Sequence, residues 1–84
     1  MKNKVLVELI VPQIDKKFDV YIPINKKVGN IIVLLNKALT DVTGGIYIDS
    51  NKVFLYNRKT GLKYNINDIV LDTDIRNGTS IVLV

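Results

Sequence analysis

Two stretches at the start of the chain alternate between apolar and polar positions with a period of two. Such alternation predicts strands, because successive side chains of a strand point to opposite faces. The apolar faces consist of Val5, Val7 and Leu9 in residues 4–11 and of Phe18, Val20, Ile22 and Ile24 in residues 17–24. A polar turn at residues 12–16 joins the two stretches, so we predict an antiparallel hairpin. Pro23 lies on the polar side, which suits an edge strand.

The period then changes to that of a helix. The apolar positions fall at i, i+4, i+7 and i+11, which places them on one face of a helix; they are Val28, Ile32, Leu35 and Leu39. We expect Asn25 to cap this helix, Lys26 and Lys27 to form its first turn, and Gly44-Gly45 to end it. Gly29 inside the helix costs about 1 kcal/mol relative to alanine.

The second half of the chain predicts shorter elements. We expect a strand at 52–56, a turn at 57–61, a short returning strand at 62–64 and an irregular stretch with one helical turn at 65–74. A turn at Asn77-Gly78 leads into a last strand at 79–84. Residues 46–48 show no clear pattern. The order ββαβ(β)β predicts an α+β fold of one domain over residues 1–84, with one helix on one face of a mixed sheet.

The composition excludes most of the side-chain chemistry that enzymes commonly use. The chain contains no cysteine and no histidine, so thiolate and imidazole chemistry are both missing. Asp68, Asp72 and Asp74 lie close together, but their spacing does not match a calcium loop, and we expect them to cap local backbone amides. No phosphate-binding glycine motif occurs. We therefore expect no enzyme activity, no cofactor and no metal site.

The net charge of +4 does not by itself indicate a nucleic-acid surface. The basic residues form pairs in or beside expected turns, where solvated lysines are common; these pairs are Lys16-Lys17, Lys26-Lys27 and Arg58-Lys59. No apolar run is long enough for a signal peptide or a membrane span. We expect a cytoplasmic protein that does not insert into a membrane.

The end of the chain carries the most specific resemblance. Val70, Ile75, the Asn77-Gly78 turn and the alternating last strand resemble the ubiquitin pattern, and the element order resembles the ubiquitin-like β-grasp over the whole chain. This resemblance implies the strand order 2-1-5-3-4, with Val70 and Ile75 closing one end of the core. Conjugation needs a C-terminal Gly-Gly tail, whereas this chain ends Ile81-Val82-Leu83-Val84. We do not expect it to be conjugated to targets.

Within that superfamily the chain is most similar to the YukD/EsaB group of small bacterial proteins associated with type VII secretion. The similar features are its length, the helix start Ile24-Asn25-Lys26-Lys27-Val28 and the Ile75-x-Asn-Gly turn before the last strand. The resemblance implies an accessory or regulatory adaptor of a secretion system, with a protein partner such as a membrane-anchored component. We expect the protein itself to be a monomer or a weak dimer.

A surplus of apolar side chains predicts where a partner binds. If the helix covers one sheet face, alternation places a contiguous apolar patch on the other; this patch consists of Leu6, Phe54, Tyr56, Val82 and Val84. Patches of this kind often mark interaction sites, and aromatic residues commonly supply most of the binding energy. Two structural alternatives stay open: isolated exposed apolar residues are ordinary, or residues 46–51 fold over them.

The basic residues around Tyr56 define an alternative function. Under this hypothesis the protein is an RNA-binding or acidic-surface-binding β-grasp domain; the residues concerned are Lys4, Lys52, Arg58, Lys59 and Lys63. Nucleic-acid binding weakens steeply as salt rises, whereas an apolar interface changes little. We favour the protein-binding hypothesis.

Overall fold

The computed structural model describes residues 3–50 and 52–84. Strands β1 (Lys4–Val11) and β2 (Lys16–Pro23) form the predicted antiparallel hairpin, joined by a short 3-10 turn at Pro12–Ile14. The second strand lies one residue earlier than predicted. Asp15 closes the turn in the left-handed region at φ 53°, a conformation that aspartate tolerates better than most residues.

Helix α1 (Val28–Val42) begins later than predicted, and the prediction that Asn25 caps it was wrong. Lys27 is the N-cap, and no side chain caps the helix. Instead, the first amides donate to backbone carbonyls of a distant loop: Val28 N–H to Asp68 O at 2.8 Å and Gly29 N–H to Ile66 O at 2.9 Å. These carbonyls satisfy the donors that a capping side chain would otherwise serve.

The same loop explains why a glycine stands inside the helix. A Cβ atom at Gly29 would lie 3.2 Å from the carbonyl oxygen of Ile66. Glycine therefore lets the capping loop approach the helix closely, which offsets its unfavourable helix propensity.

The end of the helix agrees with the prediction. Gly44 and Gly45 both adopt positive φ, at 63° and 88°. Gly45 N–H donates to Thr40 O at 2.9 Å and Gly44 N–H to Asp41 O at 3.3 Å, the hydrogen-bond pair of a Schellman motif.

The second half of the chain forms two short strands. Strand β3 (Leu55–Asn57) is shorter than predicted, a 3-10 turn occupies Val70–Asp72, and β4 (Ser80–Leu83) follows the Asn77-Gly78 turn. The predicted returning strand at 62–64 is reduced to one bridge between Lys63 and Tyr56. Pairing stops there because the chain must then reach the helix N-terminus, where residues 66 and 68 supply the capping carbonyls.

The sheet has the order β2-β1-β4-β3, with β1 and β4 parallel and both other pairs antiparallel. This is the predicted order 2-1-5-3-4 without its fourth strand, and the last strand lies inside the sheet as expected. The buried core lies between the sheet and α1; it includes Val7, Leu9, Ile22, Ile31, Leu35, Leu55, Ile81 and Leu83. Val70 and Ile75 are also buried, as expected of side chains that close the core.

The segment after the helix packs against the helix and the hairpin turn. Tyr47 is buried, and its hydroxyl donates to Asn36 Oδ1. Gln13 exchanges two hydrogen bonds with the backbone of Ile48, at 2.7 and 3.2 Å, and Asn36 Nδ2 donates to Ser50 O at 3.0 Å. Residues 46–50 therefore do not fold over the outer face of the sheet, and residue 51 lies outside the described residues. Among the described residues, no helix is long and apolar enough to cross a membrane.

Candidate protein-docking surface

One row of side chains crosses the sheet face opposite α1. The register places Ile10 of β1 beside Val82 of β4, and Val82 beside Tyr56 of β3. Lysines end the row on both sides, because Lys17 pairs with Ile10 and Lys63 pairs with Tyr56. The three central side chains are half-buried, so the row has an apolar centre and charged ends.

Phe54 and Val84 extend this apolar centre. They exchange two backbone hydrogen bonds, at 2.9 and 3.1 Å, so the pairing of β3 with β4 continues one step beyond the regular strands. Val84 is exposed and Phe54 is half-buried. The Lys63 ammonium lies 4.5 Å from the centre of the Phe54 ring, a cation–π contact that holds this lysine against the ring.

Leu6 does not join the apolar patch, which corrects the expectation of five contiguous residues. Glu8 and Ser80 are paired between Leu6 and the central row, and Ser80 Oγ donates to Glu8 Oε1 at 2.9 Å. Leu6 lies beside Tyr21 instead and is 37% exposed. It occupies the far end of the same face.

Ile10 takes the place expected for Leu6. It shares the outer face of β1 with Leu6 and Glu8 and pairs directly with Val82. The alternation of β1 already placed it on this face, but without the register its contact with Val82 was not apparent. We call the set Ile10, Phe54, Tyr56, Val82 and Val84 the open-face patch.

The charges around the open-face patch have both signs. Lys17 and Lys63 end the central row, while Glu8 and Asp19 are paired in the next row of the hairpin. Arg58 continues that row, since its N–H donates to Ser80 O at 3.0 Å. Lys4 lies beside Leu6 and Tyr21 rather than near Tyr56. The face thus lacks the uniform positive charge that a nucleic-acid surface favours.

A cluster of polar side chains, in which Asn57 and Tyr64 are buried and Asp74 is exposed, supports the β3 side of the face. Tyr64 OH donates to Asp74 Oδ1 at 2.7 Å, and Asn57 Nδ2 donates to Tyr64 OH at 3.1 Å and to Asp74 Oδ2 at 3.2 Å. Burial, followed by the hydrogen bond to Asp74, raises the pKa of Tyr64 to about 12. Within the described residues Asp74 therefore binds two side chains and not a backbone amide, contrary to the capping role that we expected.

The acidic residues do not gather into a metal site in the part of the chain that the structure describes. Over residues 3–50 and 52–84, no group of three or more aspartate, glutamate, histidine or cysteine side chains could hold an ion. Asp68 contributes its backbone carbonyl, which caps the helix.

One helix packed on one face of a four-stranded mixed sheet in this order is the ubiquitin-like β-grasp fold. No protein-family model matches the sequence, and a search of curated proteins finds no match. Solved structures do match, among them the ubiquitin-like domain of the Mycobacterium tuberculosis type VII secretion system protein EccD1. That domain is 12% identical over 96% of this chain and 97% of its own length, with a TM-score of 0.74.

Two further solved structures are similar to this chain. A chain of the MycP5-free ESX-5 inner membrane complex is 14% identical, with a TM-score of 0.78 over 96% of this chain and 20% of that one. The N-terminal ubiquitin-like domain of the 4931431F19Rik protein is 18% identical, with a TM-score of 0.74 over 98% of this chain and 74% of that one. At these identities the likeness shows the fold alone. Domains of type VII secretion components are nevertheless among the neighbours.

Proposed function

We propose that this protein is a non-catalytic adaptor that binds another protein through the open-face patch. The observation that carries the proposal is the central row, in which Ile10, Val82 and Tyr56 are adjacent on three hydrogen-bonded strands. The helix covers the other face of the sheet, so these side chains have no covering layer within the described residues.

The patch has the physical properties of a binding surface. Its backbone is fixed by the sheet, so little conformational entropy is lost when a partner binds. Tyr56 and Phe54 provide large aromatic side chains, which commonly dominate the energy of protein interfaces. The charged ends of the row form a polar rim that favours one orientation of the partner.

We further propose that the protein is an accessory or regulatory component of a bacterial type VII secretion system and acts in the cytoplasm. Two facts support this finer assignment: the sequence resembles the YukD/EsaB group, and the EccD1 ubiquitin-like domain has the same fold. The inner membrane complex among the neighbours supports a membrane-anchored component of the system as the partner.

Affinity capture from membranes of the native host tests the proposal. The tagged protein is compared with Phe54→Ala, Tyr56→Ala and the control Val33→Ala, which truncates a helix side chain that is 65% exposed. We expect a secretion component to be retained by the wild type and by Val33→Ala. Each patch variant should weaken binding by more than about 1 kcal/mol, roughly a fivefold loss of affinity.

Folding and salt controls decide between the possible outcomes. Circular dichroism should show that both patch variants remain folded, and an unfolded Phe54→Ala would place Phe54 in the core and contradict the assignment. Capture should persist at high salt. Capture of RNA that is lost steeply as salt rises would support the alternative of a nucleic-acid-binding domain.

A further inference from the structure

Strand β2 has a free edge whose hydrogen-bonding groups can be identified. Within the described residues β2 pairs only with β1. Ile24 N–H donates to Asn3 O at 2.9 Å, so even-numbered residues of this strand turn their N–H and C=O groups toward β1. Because these groups alternate along a strand, Lys17, Asp19 and Tyr21 turn theirs toward the free edge.

The side chains along this edge carry opposite charges two residues apart. Lys17 and Asp19 are both exposed and both lie on the outer face of the sheet. Phe18, between them, points to the helix side and is half-buried against the core. Charged side chains, lysine above all, and proline commonly protect free edges. Lys16, Lys17 and Pro23 are of this kind, whereas Asp19 adds a charge of the opposite sign to the same strand. A lysine and an aspartate in this spacing attract an antiparallel copy of the same strand.

We propose that β2 pairs antiparallel with β2 of a second copy of this chain, around a two-fold axis at Phe18. In this register Lys17 lies opposite the second copy's Asp19, and Asp19 lies opposite the second copy's Lys17. Both are hydrogen-bonded pairs, because their backbone groups face the free edge, and each brings opposite charges together. The two Phe18 side chains meet at the axis as a non-hydrogen-bonded pair on the helix side.

The two neighbouring registers pair the charged side chains less favourably. An axis at Asp19 places two aspartates directly opposite each other, which is destabilising. An axis at Val20 places Lys17 opposite Pro23, which has no N–H to donate, and leaves both charges without an opposite partner. In the Phe18 register residues 16–20 of the two copies lie opposite each other and Pro23 lies outside the pairing. Of the three registers it alone brings two pairs of opposite charges together.

The pairing has a geometric consequence for the whole molecule. The two-fold axis of an antiparallel pair in one continuous sheet stands perpendicular to that sheet, so both copies turn the same face to the same side. The two open-face patches would then lie side by side, with both helices on the opposite side. The proposed dimer does not depend on the proposed function, but it would allow bivalent binding.

Charge-swap variants test the dimer in solution. We expect wild-type protein to show concentration-dependent association in sedimentation equilibrium over micromolar to millimolar concentrations. Lys17→Asp and Asp19→Lys should each raise the dimer Kd at least about tenfold, because each creates two like-charged pairs. The double variant Lys17→Asp/Asp19→Lys restores opposite charges and should return the Kd toward the wild-type value. A wild type that stays monomeric, or a double variant no better than the singles, would overturn the proposal.

Cysteine substitutions test the register independently. The sequence contains no cysteine, so Phe18→Cys, Asp19→Cys and Val20→Cys each introduce a single thiol. Paired residues at a non-hydrogen-bonded position have Cα atoms about 4.5 Å apart, within the range that disulfides span. On mild oxidation Phe18→Cys should form covalent dimers fastest. Faster dimers at Asp19 or Val20, or none at any position, would overturn the register.

Discussion

Replacing Asn57 with alanine should destabilise the fold more than any surface substitution of the same kind. The Asn57 side chain is buried and makes four hydrogen bonds. Its Nδ2 donates to Tyr64 OH and to Asp74 Oδ2, and its Oδ1 accepts from the N–H groups of Lys59 at 2.8 Å and Thr60 at 3.1 Å. One side chain thus holds the turn after β3 and the loop that carries Tyr64.

The magnitude follows from which groups lose their partners. The amides of Lys59 and Thr60 and the carboxylate of Asp74 belong to exposed residues and can bond to water, whereas the contact with the Tyr64 hydroxyl is buried. A net hydrogen bond contributes about 0.5–1.5 kcal/mol, and a buried group left without a partner costs more. We expect the free energy of unfolding to fall by about 2–3 kcal/mol, which lowers Tm by about 10–20 °C for a domain of this size.

The assay is urea unfolding followed by circular dichroism, with Asn25→Ala as the matched control. Asn25 is exposed and does not cap the helix, so its removal should change the free energy of unfolding by less than about 0.5 kcal/mol. The reasoning would be refuted if Asn57→Ala cost no more than Asn25→Ala. A large cost for Asn25→Ala would instead support the capping role that the structure contradicts.

Substitutions at Tyr64 and Gly78 should change the free energy of unfolding in a stated direction. The pKa of Tyr64 rises from 10.0 to about 12 on folding, so this tyrosine ionises at lower pH in the unfolded chain than in the folded protein. The contribution of Tyr64 to stability is therefore complete below pH 10 and is lost as pH rises toward 12. Urea unfolding across this range should therefore show a shallower decline for Tyr64→Phe, and equal slopes would contradict the assignment. Gly78→Ala should cost about 1–2 kcal/mol, because φ is +88° and a Cβ there meets nothing within 4 Å. Gly78→Asn should cost less in the same assay, and equal costs would show that the left-handed backbone is not the cause.

The hairpin and the helix face could be predicted from sequence because their signals are local. Alternation in residues 4–11 gave the bounds of β1 and its buried face, and the glycine pair after the helix gave its end. The order of the strands came from the resemblance to ubiquitin. Local periodicity carries no information about which strands are neighbours in the sheet.

Predictions failed where a distant part of the chain replaced a local interaction. Asn25 is a good capping residue, but the carbonyls of Ile66 and Asp68 serve the helix amides instead. Tyr47 is buried, and its hydroxyl donates to Asn36 on the helix, a contact that no local pattern indicates. The predicted patch included Leu6 and omitted Ile10, because which side chains are adjacent depends on the register between β1 and β4. That the patch binds a partner stays a prediction.

Site-specific photo-crosslinking in the native host tests the central claim most directly. A photoreactive phenylalanine analogue is placed at Tyr56, in the middle of the open-face patch, and in a separate strain at Val33, on the exposed side of the helix. We expect the Tyr56 position to form a covalent adduct with a membrane component of the secretion system, and the Val33 position to form none. Adducts with that component from Val33 alone would show that the partner binds the helix side, and the docking surface proposed for the sheet would be wrong.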